Sequence, residues 1–307
     1  MESEVKSRIL VTGSNGQLGS ELKELLGSRP SIFYTDVNEL DITKRESVER
    51  FLFENNIEVI INCAAYTAVD RAEEDEERAH IVNAEAPLNL AEAAVAIFRA
   101  GASSAGGPLL IHISTDYVFD GTANKPYTEE SAVGPTSAYG RTKLEGEEAI
   151  LNCNCNGIII RTSWLYSGYG ANFVKTINRL SSERDSLDVV FDQVGTPTYA
   201  GDLAKAIGRV ITVWEGASEK ERAKLLGIYN FSNEGVCSWF DFATEIVKQS
   251  GNKCRVNPVT SEKFVTKAVR PSYSVLDKGK IKSVFGIEIR HWRAPLEEKN
   301  LWTKISS

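Results

Sequence analysis

The chain has little of several things that would announce a function. Its 307 residues include five cysteines, three histidines and one methionine. The cysteines are odd in number and show no CxxC spacing, which argues against a disulfide framework or a structural zinc site and fits reduced thiols in a cytoplasmic protein. Cys153 and Cys155 stand one residue apart beside two asparagines, a pattern better explained by a loop entering a strand than by a soft-metal grip. No apolar run reaches the ~20 residues that span a bilayer. The first residues, MESE, are acidic and only Ile9–Val11 follows as an apolar stretch, so no secretory leader is expected. Positive charge is also scarce: Lys+Arg 35 against Asp+Glu 42 leaves a formal net charge of −7. That excludes gripping nucleic acid or an anionic membrane through bulk charge, while leaving room for a local basic pocket. Repeats and low-complexity tails are absent.

What is present is an alternation of two periodicities. Arg8–Thr12, Ser31–Thr35, Val59–Ile61, Leu109–Ser114 and Ile158–Ile160 are short β-branched or apolar runs of the kind fully buried parallel strands need. Between them, apolar residues recur at helical spacing (Leu18, Leu22, Leu25 and Leu26; Val48, Phe51 and Leu52), and an Ala/Glu-rich segment runs to Phe98. Pro87 is compatible with that segment only if a helix restarts just before it. Glu73–Glu77 reads as a solvated helix start, and Gly101–Pro108 as a flexible surface loop. The expected fold is α/β: a Rossmann-type doubly wound parallel sheet with a smaller C-terminal α/β substrate domain. The dinucleotide half is expected over residues 1–162, with 187–214 returning to it. Residues 163–186 and 215–307 are expected to form the substrate half.

Three features carry chemistry. Thr12–Gly19 places glycines as GxxGxxG between the first strand and first helix, where they allow a tight turn and close approach of a pyrophosphate to backbone N–H groups. Gly13, Asn15, Gly16, Gln17 and Leu18 are therefore cofactor candidates. Asp36 lies at the end of the second strand, near the ~20-residue offset of a ribose-binding carboxylate. It favours NADH over NADPH on charge, and Asp41 and Ile42 just beyond are placed to contact adenine. Tyr139 and Lys143 form a YxxxK pair whose i,i+4 spacing stacks both side chains on one helix face. A nearby ammonium would lower the phenol's pKa from its usual value of about 10. Ser114 and Thr115 close a buried strand at the end where such sheets place their chemistry, and a hydroxyl there can hydrogen-bond a substrate carbonyl. Each motif alone also has a plain structural reading, as a glycine turn or a surface helix pair; their order in one chain is what makes them informative.

With those residues in place, the sequence resembles the extended short-chain dehydrogenase/reductases and, more narrowly, the dTDP-4-dehydrorhamnose reductase family. The matching segments run through nearly the whole chain and include VTGSNGQLG at 11–19, HISTDYVFDG at 112–121, YGRTKLEGE at 139–147, RTSWLYSGYGANFVKT at 161–176 and RPSYSVLD at 270–277. The resemblance implies a catalytic trio of Thr115, Tyr139 and Lys143, and a sugar-binding aromatic at Trp164 faced by Asp116 and Tyr117. It further implies Asn172 and Arg270 at the nucleotide diphosphate, and Ala64, Ala65 and Tyr66 along the cofactor. Tyrosine at position 117 stands where the dehydratases of the superfamily carry a glutamate, which favours simple carbonyl reduction.

The implied activity is reduction of the C4 ketone of dTDP-4-dehydro-L-rhamnose with NADPH or NADH. Its alternatives are a catalytically silent regulatory subunit, or an epimerase or reductase of another nucleotide sugar. A small-molecule nucleotide sugar is the expected partner, with no nucleic acid and no membrane. Family members are associated with a metal-bridged dimer, but the acidic positions do not all match, so no metal ligand is assigned and a homodimer stays open. His80, His112 and His291 show no ligand spacing and read as structural.

Overall fold

A computed structural model describes residues 6–100, 107–264 and 266–306. The expected loop Gly101–Pro108 lies mostly outside them, as does the acidic start of the chain. Five strands follow in chain order: β1 (Ile9–Thr12), β2 (Ile32–Thr35), β3 (Val59–Asn62), β4 (Leu109–Thr115) and β5 (Asn156–Thr162). Together with the strand Gly227–Asn230 they make one six-stranded parallel sheet, in the order Gly227–Asn230, β5, β4, β3, β1, β2.

Side chains along a strand alternate between faces, and here both faces are apolar. Ile9, Val11, Ile61, Ile111 and Ile160 point into a core shared with helix α1 (Gln17–Leu26) and the helix Ala200–Gly216. Leu10, Ile60, Leu110 and Ile159 point the other way, toward helix α2 (Arg45–Glu54) and the helix Ala86–Arg99. Coverage on both sides is what a doubly wound sheet requires, and it brings the carboxyl ends of β1, β3, β4 and β5 to one edge.

As expected, an α-helix (Ala86–Arg99) starts one residue before Pro87, but no break separates it from the turn that precedes it. The helical run is continuous from Glu76 to Arg99, half of its apolar window buried, although by length and composition alone it could cross a membrane. A π turn over Ile81–Glu85 precedes the proline. In α geometry the proline ring would strike the Asn83 carbonyl and leave it without a donor; the wider turn relieves both. The turn also buries the Asn83 side chain, whose Oδ1 accepts from the Tyr66 N–H at 2.8 Å and whose Nδ2 donates to the Tyr66 carbonyl and to Thr142 Oγ1, each at 3.1 Å.

The smaller unit packs the helices Phe173–Glu183 and Trp239–Ser250 against a two-stranded parallel sheet of Ser186–Val190 and Arg255–Val259. This differs from the expected division in two places. Residues 186–190 pair within the smaller unit, whereas Gly227–Asn230 and the helix Gly279–Phe285 belong with the large sheet. The reason is burial pattern. Ser186–Val190 hides only alternate residues, as a strand covered on one side does. Tyr229, Phe231 and Phe285 are each at most 1% exposed in the large core. The helix Ala200–Gly216 does return to the main sheet.

Candidate active site

Strand β4 ends at Thr115, whose Oγ1 accepts from the Tyr117 N–H at 3.2 Å and so starts a short 3-10 turn over Asp116–Val118. The helix Ala138–Asn152 begins on Ser137, whose Oγ accepts from the Gly140 N–H at 3.1 Å. Gly140 lets that helix descend onto the turn: a Cβ there would stand 2.2 Å from the Tyr117 carbonyl oxygen. The close approach sets Tyr139 beside Tyr117, ring centroids 5.5 Å apart at 73°, and within hydrogen-bonding reach of Thr115. One turn further on, Lys143 is 1% exposed; its Nζ donates to the Ile113 carbonyl at 2.6 Å and lies 3.1 Å from His112 Nε2.

Burial dominates the electrostatics. It pushes the Tyr139 phenol well above its usual range, against the pull of Thr115. It pushes Lys143 down to about 8, opposed by Glu147 and Cys63. The expectation that Lys143 lowers the Tyr139 pKa is therefore corrected: the lysine nitrogen is engaged by β4, and desolvation keeps Tyr139 a neutral phenol, the form a proton donor needs. Burial also raises Asp116 to about 7, opposed by hydrogen bonds from Thr115 and Ser274. The Thr115 hydroxyl donates to Asp116 Oδ1 at 3.0 Å, while Asp116 Oδ2 is buried with no hydrogen-bond partner.

These groups form the floor of a cavity of roughly 650 Å³. Gly13, Gly16, Gln17 and Leu18 line one side, with Ala65; Trp164, Asn172 and Arg270 line the other. Trp164 stacks on Trp239 with centroids 3.6 Å apart at 11°, and its backbone takes φ 47°, a region that a bulky residue adopts only under constraint. Arg270 Nη2 donates to Asp70 Oδ2 at 2.7 Å and is also bonded to Tyr117. Asn172 caps the helix Phe173–Glu183 through Oδ1, and its Nδ2 donates to Gln17 Oε1 at 3.1 Å, tying the glycine loop to the facing wall.

Other expected residues lie around the cavity rather than in its lining. The Asn15 N–H donates to Asp36 Oδ2 at 3.3 Å, fastening the glycine loop to the end of β2. Asp41 caps its own loop through Thr43, and the Ile42 side chain is buried in the core with Leu40 and Val48. The Ala64 N–H donates to Asn62 Oδ1, and Tyr66 is held by Asn83 and packs against the same alanine cluster (Ala72, Ala79, Ala138) as Tyr139. Sequence reasoning missed Trp239, Asp70 and Cys63. Trp239 and Asp70 carry no local signal, because the residues they hold, Trp164 and Arg270, lie in distant segments; Cys63 directly precedes the expected Ala64 and Ala65 and reads as one more apolar residue at the strand end. Among the described residues no cluster of His, Cys, Asp or Glu could hold a metal.

The residues fit a dinucleotide. Gly13 takes φ +62°, and a Cβ there would lie 2.7 Å from Ala64 Cα, so the turn is closed to any larger residue. Helix α1 starts at Gly16 without a side-chain cap, leaving its positive end for an anion. Glycine turn, doubly wound sheet and Thr–Tyr–Lys grouping together define a dinucleotide-dependent oxidoreductase of the short-chain dehydrogenase/reductase type.

Comparison with known proteins narrows this. The chain belongs to the family described as RmlD substrate binding domain, whose model matches residues 7–302. It is 40% identical over 299 residues to a dTDP-4-dehydrorhamnose reductase of Aggregatibacter actinomycetemcomitans, covering 95% of this chain and 97% of the relative. Among solved structures it is similar to a dTDP-4-dehydrorhamnose reductase of Clostridium acetobutylicum, at 42% identity and TM-score 0.86, covering 97% of this chain and 99% of that one. The enzyme of the same name from Bacillus anthracis, solved in complex with NADP, matches at 37% identity and TM-score 0.86, with the same coverage.

Proposed function

We propose that the protein reduces the C4 ketone of dTDP-4-dehydro-L-rhamnose to the alcohol of dTDP-L-rhamnose, using NADPH or NADH. The observation that carries this reading is the convergence of Thr115, Tyr139 and Lys143 in one cavity between a glycine loop and a Trp164/Arg270 wall. Gly13, Gly16 and Gln17 would hold the dinucleotide, and hydride to the carbonyl carbon is the chemistry that the reduced nicotinamide supplies when bound. Tyr139, neutral and desolvated, donates its proton to the developing alkoxide. Lys143 supports the resulting phenolate. Thr115 orients the carbonyl oxygen, and Asp116 governs that role. As a carboxylate Asp116 accepts the hydrogen bond of the Thr115 hydroxyl; once protonated, below about pH 7, it releases that bond, and the hydroxyl can turn to the sugar.

Arg270, displaced from Asp70, offers a planar fork to the diphosphate, and Trp164 gives the sugar ring an apolar face. Tyr117, in place of the carboxylate that dehydration needs, supports reduction over the dehydratase reaction. The intact trio speaks against a silent subunit. The test is a progress curve with dTDP-4-dehydro-L-rhamnose under each cofactor. One equivalent of reduced nicotinamide should be consumed per equivalent of sugar; no consumption with either cofactor overturns the proposal. Cofactor retained through purification and left unconsumed would point to an epimerase instead.

A further inference from the structure

His112 is fully buried on β4 and has no part in the chemistry described so far. Its two ring nitrogens nevertheless connect β1 and β3 to Lys143. Asn62 Nδ2 lies 3.0 Å from Nδ1, and Lys143 Nζ lies 3.1 Å from Nε2. The orientation of Asn62 is set on its other side. Asn62 Oδ1 accepts from the Ala64 backbone N–H at 3.2 Å and from Thr12 Oγ1 at 2.8 Å. A backbone N–H can only donate, so the amide oxygen must face Ala64 and the amide NH₂ must face His112. Nδ1 is then the acceptor, and a neutral imidazole carries its hydrogen on Nε2. That hydrogen points at Lys143.

We infer that His112, its tautomer fixed through Asn62, is a positioning residue that turns an N–H rather than a lone pair toward Lys143 and so holds the lysine nitrogen on the Ile113 carbonyl, poised between ammonium and amine. An ammonium has only donors, so against Nε2–H it loses a partner. An amine has a lone pair that accepts from Nε2–H while an N–H still donates to Ile113. Burial acts in the same direction and lowers Lys143 to about 8.

The other groups around the lysine are accounted for. Glu147, one turn along the same helix, favours the ammonium but is held by Arg161 from β5 at 2.6 Å and by the Ser114 hydroxyl of β4. Cys63, beyond β3, is a neutral thiol pushed up to about 12 by burial. Tyr139 on the same helix is a neutral phenol, and desolvation together with Lys143 holds His112 well below its usual range. A group poised near the working pH both gives and takes a proton readily, which suits a residue that must support Tyr139 through its protonation cycle. The inference deepens the proposed function and rests on Lys143 belonging to the reaction.

The test needs no turnover, so its failure and that of the proposed reaction are separable. Protein labelled with ¹⁵N in histidine and ¹³C at the lysine ε-carbon has only three histidines to assign. His112 should read as neutral Nε2–H from pH 5.5 to 9, with Lys143 titrating near 8. An Nδ1–H tautomer, or a charged ring, overturns the inference. Asn62→Asp replaces the NH₂ by an acceptor. It should move the hydrogen to Nδ1 and raise the Lys143 midpoint by about one pH unit or more, a tenfold change in its protonation equilibrium. An unmoved midpoint counts against the inference. Adding His112→Leu to Asn62→Asp should cancel most of the rise; a rise that persists in full would assign it to the new charge and overturn the role of the ring. If the variants do not fold, the wild-type spectrum decides alone.

Discussion

The floor and the rim of the cavity are built from similar residues and behave differently. Each is braced by an arginine paired with a carboxylate. Behind the floor, outside the cavity lining, Arg161 and Glu147 are 2% and 1% exposed, bonded through two guanidinium nitrogens, and enclosed by β4, β5 and the helix carrying Tyr139 and Lys143. On the rim, Arg270 and Asp70 are 31% and 41% exposed and share one contact. The first pair cannot part without stranding a buried charge. The second can, because water and a diphosphate both compensate Arg270. The same contrast runs through the neighbours. Tyr139, Lys143 and Asp116 have their proton affinities set by desolvation, whereas Trp164 and Asn172 shape the opening by contact. The proposed function thus puts chemistry where water is excluded and recognition where it can be exchanged.

Experiments that separate floor from rim follow from this, and Tyr139→Phe should show the largest effect. Loss of the proton donor is expected to lower kcat by about 10²–10⁴-fold with the dinucleotide Kd nearly unchanged, as read by stopped-flow and fluorescence titration. Glu147→Gln comes next: an uncompensated Arg161 should cost about 3–5 kcal/mol in denaturant unfolding. Arg270→Ala should leave stability nearly intact but raise the nucleotide-sugar KM roughly 10- to 100-fold, as loss of charge-assisted hydrogen bonds predicts. If Arg270→Ala destabilises as much as Glu147→Gln, the contrast fails.

The pH dependence sharpens it further. Asp116 is raised to about 7, so its protonated form dominates below that pH and is lost as pH rises through it. If protonation frees Thr115, kcat should fall through about pH 7, and Asp116→Asn should abolish that step. Lys143, lowered to about 8, keeps its ammonium below that pH and loses it above, so a second fall near 8 should survive in Asp116→Asn. The smallest effect is expected away from the cavity. The exposed Arg179–Glu183 pair is a surface i,i+4 contact, and Arg179→Ala should change stability by less than about 0.5 kcal/mol.

Much of the floor was legible in the sequence, because its signals are local. A glycine turn after a short apolar strand, and a tyrosine four residues before a lysine, are spacings that backbone geometry converts directly into position. What the spacing could not reveal was the direction of the pKa shifts. Tyr139 beside Lys143 suggests a lowered phenol, yet burial decides, and burial belongs to the whole fold. His112 was hidden for a related reason: within LLIHIS it reads as one more inward residue of a buried strand. Its partners Asn62 and Lys143 lie 50 and 31 residues away.

The rim was half legible. Trp164 and Arg270 stood out, but Trp239 and Asp70, which hold them, are separated from them by 75 and 200 residues. The π turn before Pro87 and the return of Gly227–Asn230 to the main sheet were likewise tertiary choices.

The central claim is that this cavity moves hydride to a sugar ketone while Tyr139 supplies the proton. Its most direct measurement is a single turnover with dTDP-4-dehydro-L-rhamnose and nicotinamide dinucleotide deuterated at C4, followed by mass spectrometry and NMR of the sugar. The account predicts one deuterium at C4 of the product with wild-type protein, and almost none with Tyr139→Phe at the same bound-cofactor occupancy. Wild-type protein that leaves the label on the cofactor, or a Tyr139→Phe variant that transfers it at the wild-type rate, would contradict it.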